Sequence, residues 1–297
     1  MVRFTKYRKV YFIFSGILML ASIVSLAVFG LRPGIDFTGG SILEVEYLEE
    51  RPSNDEIREK LSGLDLGTIY IQPAGERGVI LRMKDIGEDL HQWVFRKLEE
   101  GEVNIEERRF ESIGPIIGQE LRQKTLIVVI LVLLSIVVYI ALAFRKIQIP
   151  LKSWKYGIIS VLALFHDLFI PLGVFSILGR FYGVEISIPV ITALLAVLGY
   201  SINNTVVVFD RIREGLLRRG GFFEDVVDES LNQTLSRQIN TSLTTLFVVA
   251  AIFFFGGETL KYFALALIMG IIAGTYSSIF LAGSMLVFWF KWGQARK

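Results

Sequence analysis

The chain has no cysteine and only two histidines among its 297 residues. A disulfide framework, a zinc-thiolate centre and a cysteine nucleophile are therefore excluded together. It also lacks a GxxxxGK[ST] phosphate loop and an HExxH pair, so neither ATP hydrolysis nor zinc proteolysis has the residues it needs. Gly34-Ile35-Asp36-Phe37-Thr38-Gly39-Gly40 is glycine-rich, but it is not set between a strand and a helix as a nucleotide cradle would be, and it reads as a turn. A net charge of +2 gives no footing for nucleic acid. No cofactor, no metal and no enzymatic activity are expected. Energy for any work has to come from an ion gradient or from a partner.

What is abundant is apolar: 53% of residues are hydrophobic, 23 are Phe, and the mean hydropathy is +0.54. These values belong to a membrane protein. Six segments have the length and composition of membrane spans, at about 10–30, 126–144, 156–178, 188–209, 240–255 and 262–290. The first is longer than the apolar region of a signal peptide and has no small-residue cleavage site, so it is expected to stay as a span.

Between the first two spans the charge density rises and the apolar runs shorten. Residues 31–124 are expected to form a soluble α+β domain, flanked by an N-terminal region with one span (1–30) and a five-helix membrane region (125–297). Ser41 to Tyr47 alternates as a half-buried strand. Ser53 with Glu56 and Asp85 with Glu88 have capping-box spacing, which predicts helices over 54–62 and 86–100 that stop at Gly63 and Gly101. Strands are expected at Thr68 to Gln72 and Val79 to Met83, joined by a Pro73-Ala74-Gly75 turn, and near Val103 to Phe110. The order β-α-β-β-α-β is that of a ferredoxin-like sheet.

Basic residues predict the orientation. The N-terminus carries 4 Lys/Arg, the 145–155 loop 4, the 210–238 loop 5 and the C-terminal tail 3. By the positive-inside rule these are cytoplasmic and the soluble domain lies outside. Phe222, Phe223, Val226, Val227 and Leu231 recur at helical spacing in the 210–238 loop, an amphipathic helix that either packs on the bundle rim or docks a partner.

Polar residues at membrane depth are the candidate functional groups. The fourth span carries Tyr200, Ser201, Asn203 and Asn204, expected to form one patch, and ends on Asp210 and Arg211. His166 and Asp167 lie mid-way along the third span. A charged Asp there costs roughly 2.5–3.5 kcal/mol, which demands a partner or a proton. Asp167 is thus either a proton-relay group or a structural pin between the third span and the polar patch of the fourth. The fifth span opens with Arg237, which joins His166, Asp167, Asp210 and Arg211 as a candidate for a proton or ion pathway, followed by Asn240, Thr241, Ser242, Thr244 and Thr245, which can act as hydrogen-bonding glue. The sixth has Gly270 and Gly274 at GxxxG spacing, followed by Thr275, Tyr276, Ser277 and Ser278. Six spans are half of a two-repeat transporter, so a second half is expected. The stripe of Ser201 and Asn204, with the face of Gly270 and Gly274, is expected to meet it.

Taken together, GIDFTGGS, ESIGPIIGQEL, LFHD, GYSINNTVVVFDRIRE, RQINTSLTT and GTYSSIFLAG resemble the SecF branch of the bacterial SecD-SecF protein-export family, within the resistance-nodulation-division superfamily. The resemblance implies a multi-pass inner-membrane subunit that pairs with SecD, binds the SecYEG channel and uses the proton-motive force to draw preproteins outward. It also implies a departure. Members usually carry Asp at the position of Asn204, and Asn cannot ionise. The alternatives are a small-molecule exporter of the same superfamily, for which a soluble domain of this size is small, and a non-conducting scaffold, which Asn204 keeps open.

Overall fold

The computed structural model describes residues 2–100, 104–144, 152–219 and 221–295. Among the described residues, six helices are long and apolar enough to cross a membrane, at Phe4–Phe29, Pro115–Ala143, Ser153–Tyr182, Ile188–Arg218, Phe223–Phe255 and Leu260–Gln294. The chain divides into two compact units, one of residues 1–31, 129–184 and 188–297, the other of residues 32–128 and 185–187.

The helical unit begins with a 3-10 turn, Phe4–Tyr7, that leads into α1, Arg8–Phe29. α1 is inverted relative to a soluble helix, because its buried residues are Ser15, Ser22 and Ser25 while Ile13, Ile17, Leu20 and Val24 face outward. Lipid is as apolar as leucine, so small polar residues are the ones that gain by facing a neighbouring helix. Ser25 Oγ donates to the carbonyl of Gly173 (3.1 Å) and Ser176 Oγ donates to the carbonyl of Ser25 (2.9 Å), which joins α1 to the third span. At the other end Asp228 accepts from both the backbone N–H and the hydroxyl of Thr5, each at 2.8 Å, and fastens the N-terminal turn.

The second unit starts with a single turn, α2 (Ile35–Thr38), and continues β1 (Gly40–Tyr47), α3 (Asn54–Leu61), β2 (Tyr70–Ala74), β3 (Gly78–Met83), α4 (Glu88–Glu99) and β4 (Ile105–Ile113). The expected β-α-β-β-α-β order is present, in one antiparallel sheet of order β2-β3-β1-β4. Leu43, Val45, Val79 and Leu81 point from the central strands into a core closed by Ile57, Leu61, Val94 and Leu98 of the two helices.

The Ser53–Glu56 capping box forms reciprocally. The second expected box does not: α4 starts at Glu88 after Gly87, and Asp85 instead accepts from Ser112 Oγ at 2.6 Å. Pro73 and Ala74 belong to β2, and the turn is Gly75 to Arg77. A proline is tolerated there because β2 is an edge strand. α3 ends at Leu61 with Ser62 as its cap, ahead of Gly63. Gly101 and Val103 lie outside the described residues, as does 145–151 of the basic 145–155 loop.

In the glycine-rich turn, Gly39 and Gly40 have φ of 73° and 130°, and a Cβ on Gly39 would fall 2.8 Å from Pro115 Cα. This close approach at left-handed backbone explains the paired glycines.

The remaining helices are α5 (Pro115–Phe144), α6 (Ser153–Tyr182), α7 (Ile188–Arg219), α8 (Phe223–Phe255), α9 (Gly257–Tyr276) and α10 (Gly283–Gln294), the last two joined through a π-helical segment, Ser277–Ala282. The amphipathic stretch from Phe222 is therefore the first turns of α8, continuous with the fifth span. Its Phe223, Val227 and Leu231 are buried against the Leu286 and Val287 face of α10, while Phe222 is left 84% exposed.

Residues 185–187, between α6 and α7, belong to the second unit. Ile186 N–H donates to the Arg32 carbonyl (2.7 Å), Gly34 N–H donates to the Ile186 carbonyl (2.9 Å), and Glu185 pairs with Arg82 at 3.1 Å. Burial pushes the Glu185 carboxyl above its ordinary 4.5, with Arg82 and Arg32 opposing. A carboxyl raised in this way binds its proton more tightly when folded, so its contribution is full below pH 4.5 and is lost as pH rises through the raised value. Hydrogen exchange at the Ile186 amide, corrected for its intrinsic rate, is expected to quicken with pH above 4.5 and to lose that dependence in Glu185→Gln. A flat wild-type profile would contradict the assignment.

Candidate functional site

The centre of the helical unit is Asp167, which is 0% exposed. An ionised carboxylate is acceptor-only, and hydrocarbon supplies no donors, so the neighbouring helices have to. Ser201 of α7 donates its hydroxyl to Asp167 Oδ2, and Ser277 of the π segment donates to the same oxygen at 2.7 Å. His166 Nδ1 lies 2.8 Å from Oδ1. Three spans thus converge on one carboxyl group. The His166 ring stacks near Tyr276, with centroids 5.9 Å apart, and its Nε2 is buried without a hydrogen-bond partner.

Close approach of α7 and α9 makes this geometry attainable. A Cβ on Gly270 would collide with Val197, and one on Gly274 would fall 3.0 Å from Ser201 Cβ. Both glycines are buried within this chain, as are Ser201 and Asn204. These four residues therefore do not form a face for a partner subunit. Ser201 cannot serve both Asp167 and an outer surface, and the glycines are covered by α7.

A second polar layer joins α7, α8 and the final span. Tyr200 OH donates to Ser242 Oγ (2.9 Å), Ser242 bonds Thr275 (2.6 Å), and Ser278 Oγ donates to Gln238 Oε1 (2.7 Å). Ser277 and Ser278, adjacent in sequence, thus reach partners on two different helices, α6 and α8, from within a π segment, a feature that recurs at functional sites.

The patch expected on the fourth span divides. Ser201 and Asn204 face inward, Tyr200 is half-buried, and Asn203 faces outward. Asn204 is 4% exposed, and its Nδ2 has no protein partner. Arg237, Asn240, Thr241 and Thr244 are exposed on the outer face of α8. Thr241 and Thr244 hydroxyls bond the carbonyls four residues back, at 2.8 and 3.0 Å, while the amides of Asn203 and Asn240 look outward. Asp210 is exposed, and Arg211 donates to Gln233 (2.6 Å) and to Glu214, so neither joins the Asp167 node. Among the described residues no group of three or more His, Cys, Asp or Glu side chains has the arrangement of a metal site.

The third ligand of the carboxyl, Ser277, was not singled out as a partner of Asp167 by its sequence context. The available signal was a cluster of small hydroxyl residues immediately after a GxxxG pair.

Gly270→Ala is expected to destabilise the purified protein by about 1–3 kcal/mol through overpacking on Val197. Gly199→Ala, whose Cβ would meet nothing within 4 Å, is expected to be neutral or mildly stabilising. Denaturation in detergent of both variants checks this, and equal effects would contradict the packing described.

Two family models match the chain: "Protein export membrane protein SecD/SecF, C-terminal" over residues 94–292 and "SecD/SecF GG Motif" over residues 24–47. The protein translocase subunit SecF of Thermobaculum terrenum is 40% identical, over 97% of this chain and 94% of that protein. The SecF subunit of a Synechocystis species is 36% identical, over 97% and 94%. Among solved structures, the translocon-associated membrane protein SecDF of Thermus thermophilus superposes with a TM-score of 0.83 at 34% identity, covering 97% of this chain. This chain spans 38% of the length of that SecDF chain.

Proposed function

The chain belongs to the SecF family of protein translocase subunits, and from that premise we propose that it pairs with a SecD-like partner and uses the proton-motive force to assist late preprotein movement through SecYEG. It acts without enzymatic chemistry, in the bacterial inner membrane. In this reading both termini and the 145–155 and 210–238 loops are cytoplasmic, and residues 31–124 form a periplasmic, ferredoxin-like domain between the first span and the 125–297 helical region. The basic residues of the N-terminus and of those loops support this orientation. The antiparallel β2-β3-β1-β4 order supports the fold assignment. With Arg77→Cys and Arg218→Cys, an impermeant thiol reagent is expected to label position 77 in intact spheroplasts and position 218 only after lysis. The reverse pattern would sink the orientation.

The observation that carries the proposal is the buried Asp167 node at the crossing of three spans. A charge moved through 100 mV gains about 2.3 kcal/mol, enough to bias two conformations roughly fiftyfold, but only if some group gains and loses that charge. Asn204 stands at the family's Asp position and cannot do so. Asp167, with His166 beside it, is a buried ionisable pair at the crossing of three spans, and the partner contributes the rest. Outward-facing Asn203 and Asn240, with Thr241 and Thr244, give that partner a polar surface at membrane depth, and Arg237 lies at its cytoplasmic edge.

The test is reconstitution with SecD and the channel in proteoliposomes under an imposed pH gradient, following proton flux and preprotein release. Asn204→Asp is expected to raise gradient-dependent release, and Asp167→Asn to remove what the unsubstituted chain shows. Equal activity of the unsubstituted chain and the Asn204→Asp variant would exclude position 204 as a coupling site. Undiminished flux in Asp167→Asn would favour the scaffold reading.

A further inference from the structure

Two span ends meet in one aromatic and basic cluster. The third span begins at Ser153 and the sixth ends at Gln294, and Trp154 of the one lies edge to face on Trp289 of the other, with ring centroids 5.3 Å apart. Tryptophan collects where a span passes from hydrocarbon to headgroups, so the pair marks that level. Lys155 holds its ammonium over both indoles, 5.9 Å from the Trp154 ring and 5.5 Å from that of Trp289. Such contacts fix a cation in place and leave its charge uncompensated. Lys152, the N-cap of α6, is exposed one turn away. The stretch from Arg145 to Lys155 contains four basic residues and no carboxylate. Arg8 and Lys291 both pair with Glu224, and among the described residues no carboxylate reaches Lys152 or Lys155.

An apolar track leads away from this charge along the same helix. Trp154, Ile158, Leu162 and Phe165 follow one another at helical spacing on one stripe of α6, and all four are exposed. At 1.5 Å per residue the stripe is about 16 Å long, close to half of a hydrocarbon core about 30 Å thick. A free anion would leave the track bare, and an acidic peptide would have to stop where the hydrocarbon begins. A lipid with an anionic headgroup matches both parts at once, its charge at the level of the tryptophans and its chain on the stripe.

We propose that Lys152 and Lys155, framed by Trp154 and Trp289, bind the phosphate of an anionic phospholipid of the phosphatidylglycerol type, whose acyl chain lies along Ile158, Leu162 and Phe165. Each ammonium has three N–H donors to offer to phosphate oxygens. A phosphatidylethanolamine is disfavoured, because its own ammonium would stand beside two lysines that no carboxylate offsets. The headgroup sits where the third span meets the sixth, and the lipid therefore braces the two spans that bring Asp167 and Ser277 together.

Photocrosslinking tests this. The full chain, with and without its SecD-like partner, is placed in phosphatidylcholine nanodiscs doped with either phosphatidylglycerol or phosphatidylcholine that carries a diazirine on its acyl chain, and the adducts are mapped by mass spectrometry. Leu20 and Val24, exposed mid-span on α1, are the internal standard. One basic residue beside a lipid surface is worth about fivefold in attraction for anionic lipid. Relative to the standard, phosphatidylglycerol adducts on Ile158, Leu162 and Phe165 are expected to exceed phosphatidylcholine adducts by about fivefold or more, and Lys152→Gln with Lys155→Gln is expected to remove the excess. Equal labelling by the two lipids in the unsubstituted chain overturns the proposal, whether or not the variant assembles. So does an excess that persists in an assembled variant. An excess abolished by inorganic phosphate at constant ionic strength would assign the lysines to free phosphate, and one abolished by the partner would assign the stripe to a subunit contact, and either result overturns the lipid assignment.

Discussion

A carboxyl group at membrane depth has to be met by donors, and this requirement organises the helical unit. Asp167 obtains hydroxyls from α7 and from the π segment, with the imidazole of its sequence neighbour on the other oxygen. Two serine hydroxyls reach one oxygen only if the helices that carry them come close, and Gly270 and Gly274 remove the side chains that would hold α7 and α9 apart. The polar node and the small-residue face are thus one feature seen from two helices.

The same logic explains where the polarity goes elsewhere. α1 buries serines and shows leucine and isoleucine to the surroundings, because its serines bond backbone carbonyls across the α1–α6 contact. α8 divides its polar residues: Gln238 and Ser242 face inward to hydrogen-bond partners, while Arg237 and Asn240 look outward. Outward polarity at that depth is expensive against lipid and inexpensive against another polar helix.

Much of this was legible in the sequence, and what was not has a common cause. Apolar run length located all six spans. Period-two alternation located β1, and the Ser53–Glu56 spacing located α3. A structural pin between Asp167 and the fourth span was a stated alternative, and Ser201 is the pin. Asp85 departs from the expected capping role because a capping box and a strand-end contact to Ser112 begin from the same residue type. Pro73 lies in a strand and not in a turn because proline breaks a central strand but not an edge. Helical periodicity tells which residues share a face but not what covers it, so Gly270 and Gly274 were assigned outward although α7 covers them. Ser277 and Glu185 acquire their roles from residues 110 and about 100 positions away, and local patterns are silent about such pairs.

The central claim is that Asp167 couples energetically to both serines as one node. Double-mutant cycles of Asp167→Asn with Ser201→Ala and with Ser277→Ala, read by denaturation of the purified subunit in detergent, test it most directly. Each cycle is expected to give a coupling energy of about 1 kcal/mol or more, because the partners share one hydrogen-bonded network. Coupling within about 0.3–0.5 kcal/mol of zero in both cycles, the additivity found for independent sites, would contradict it.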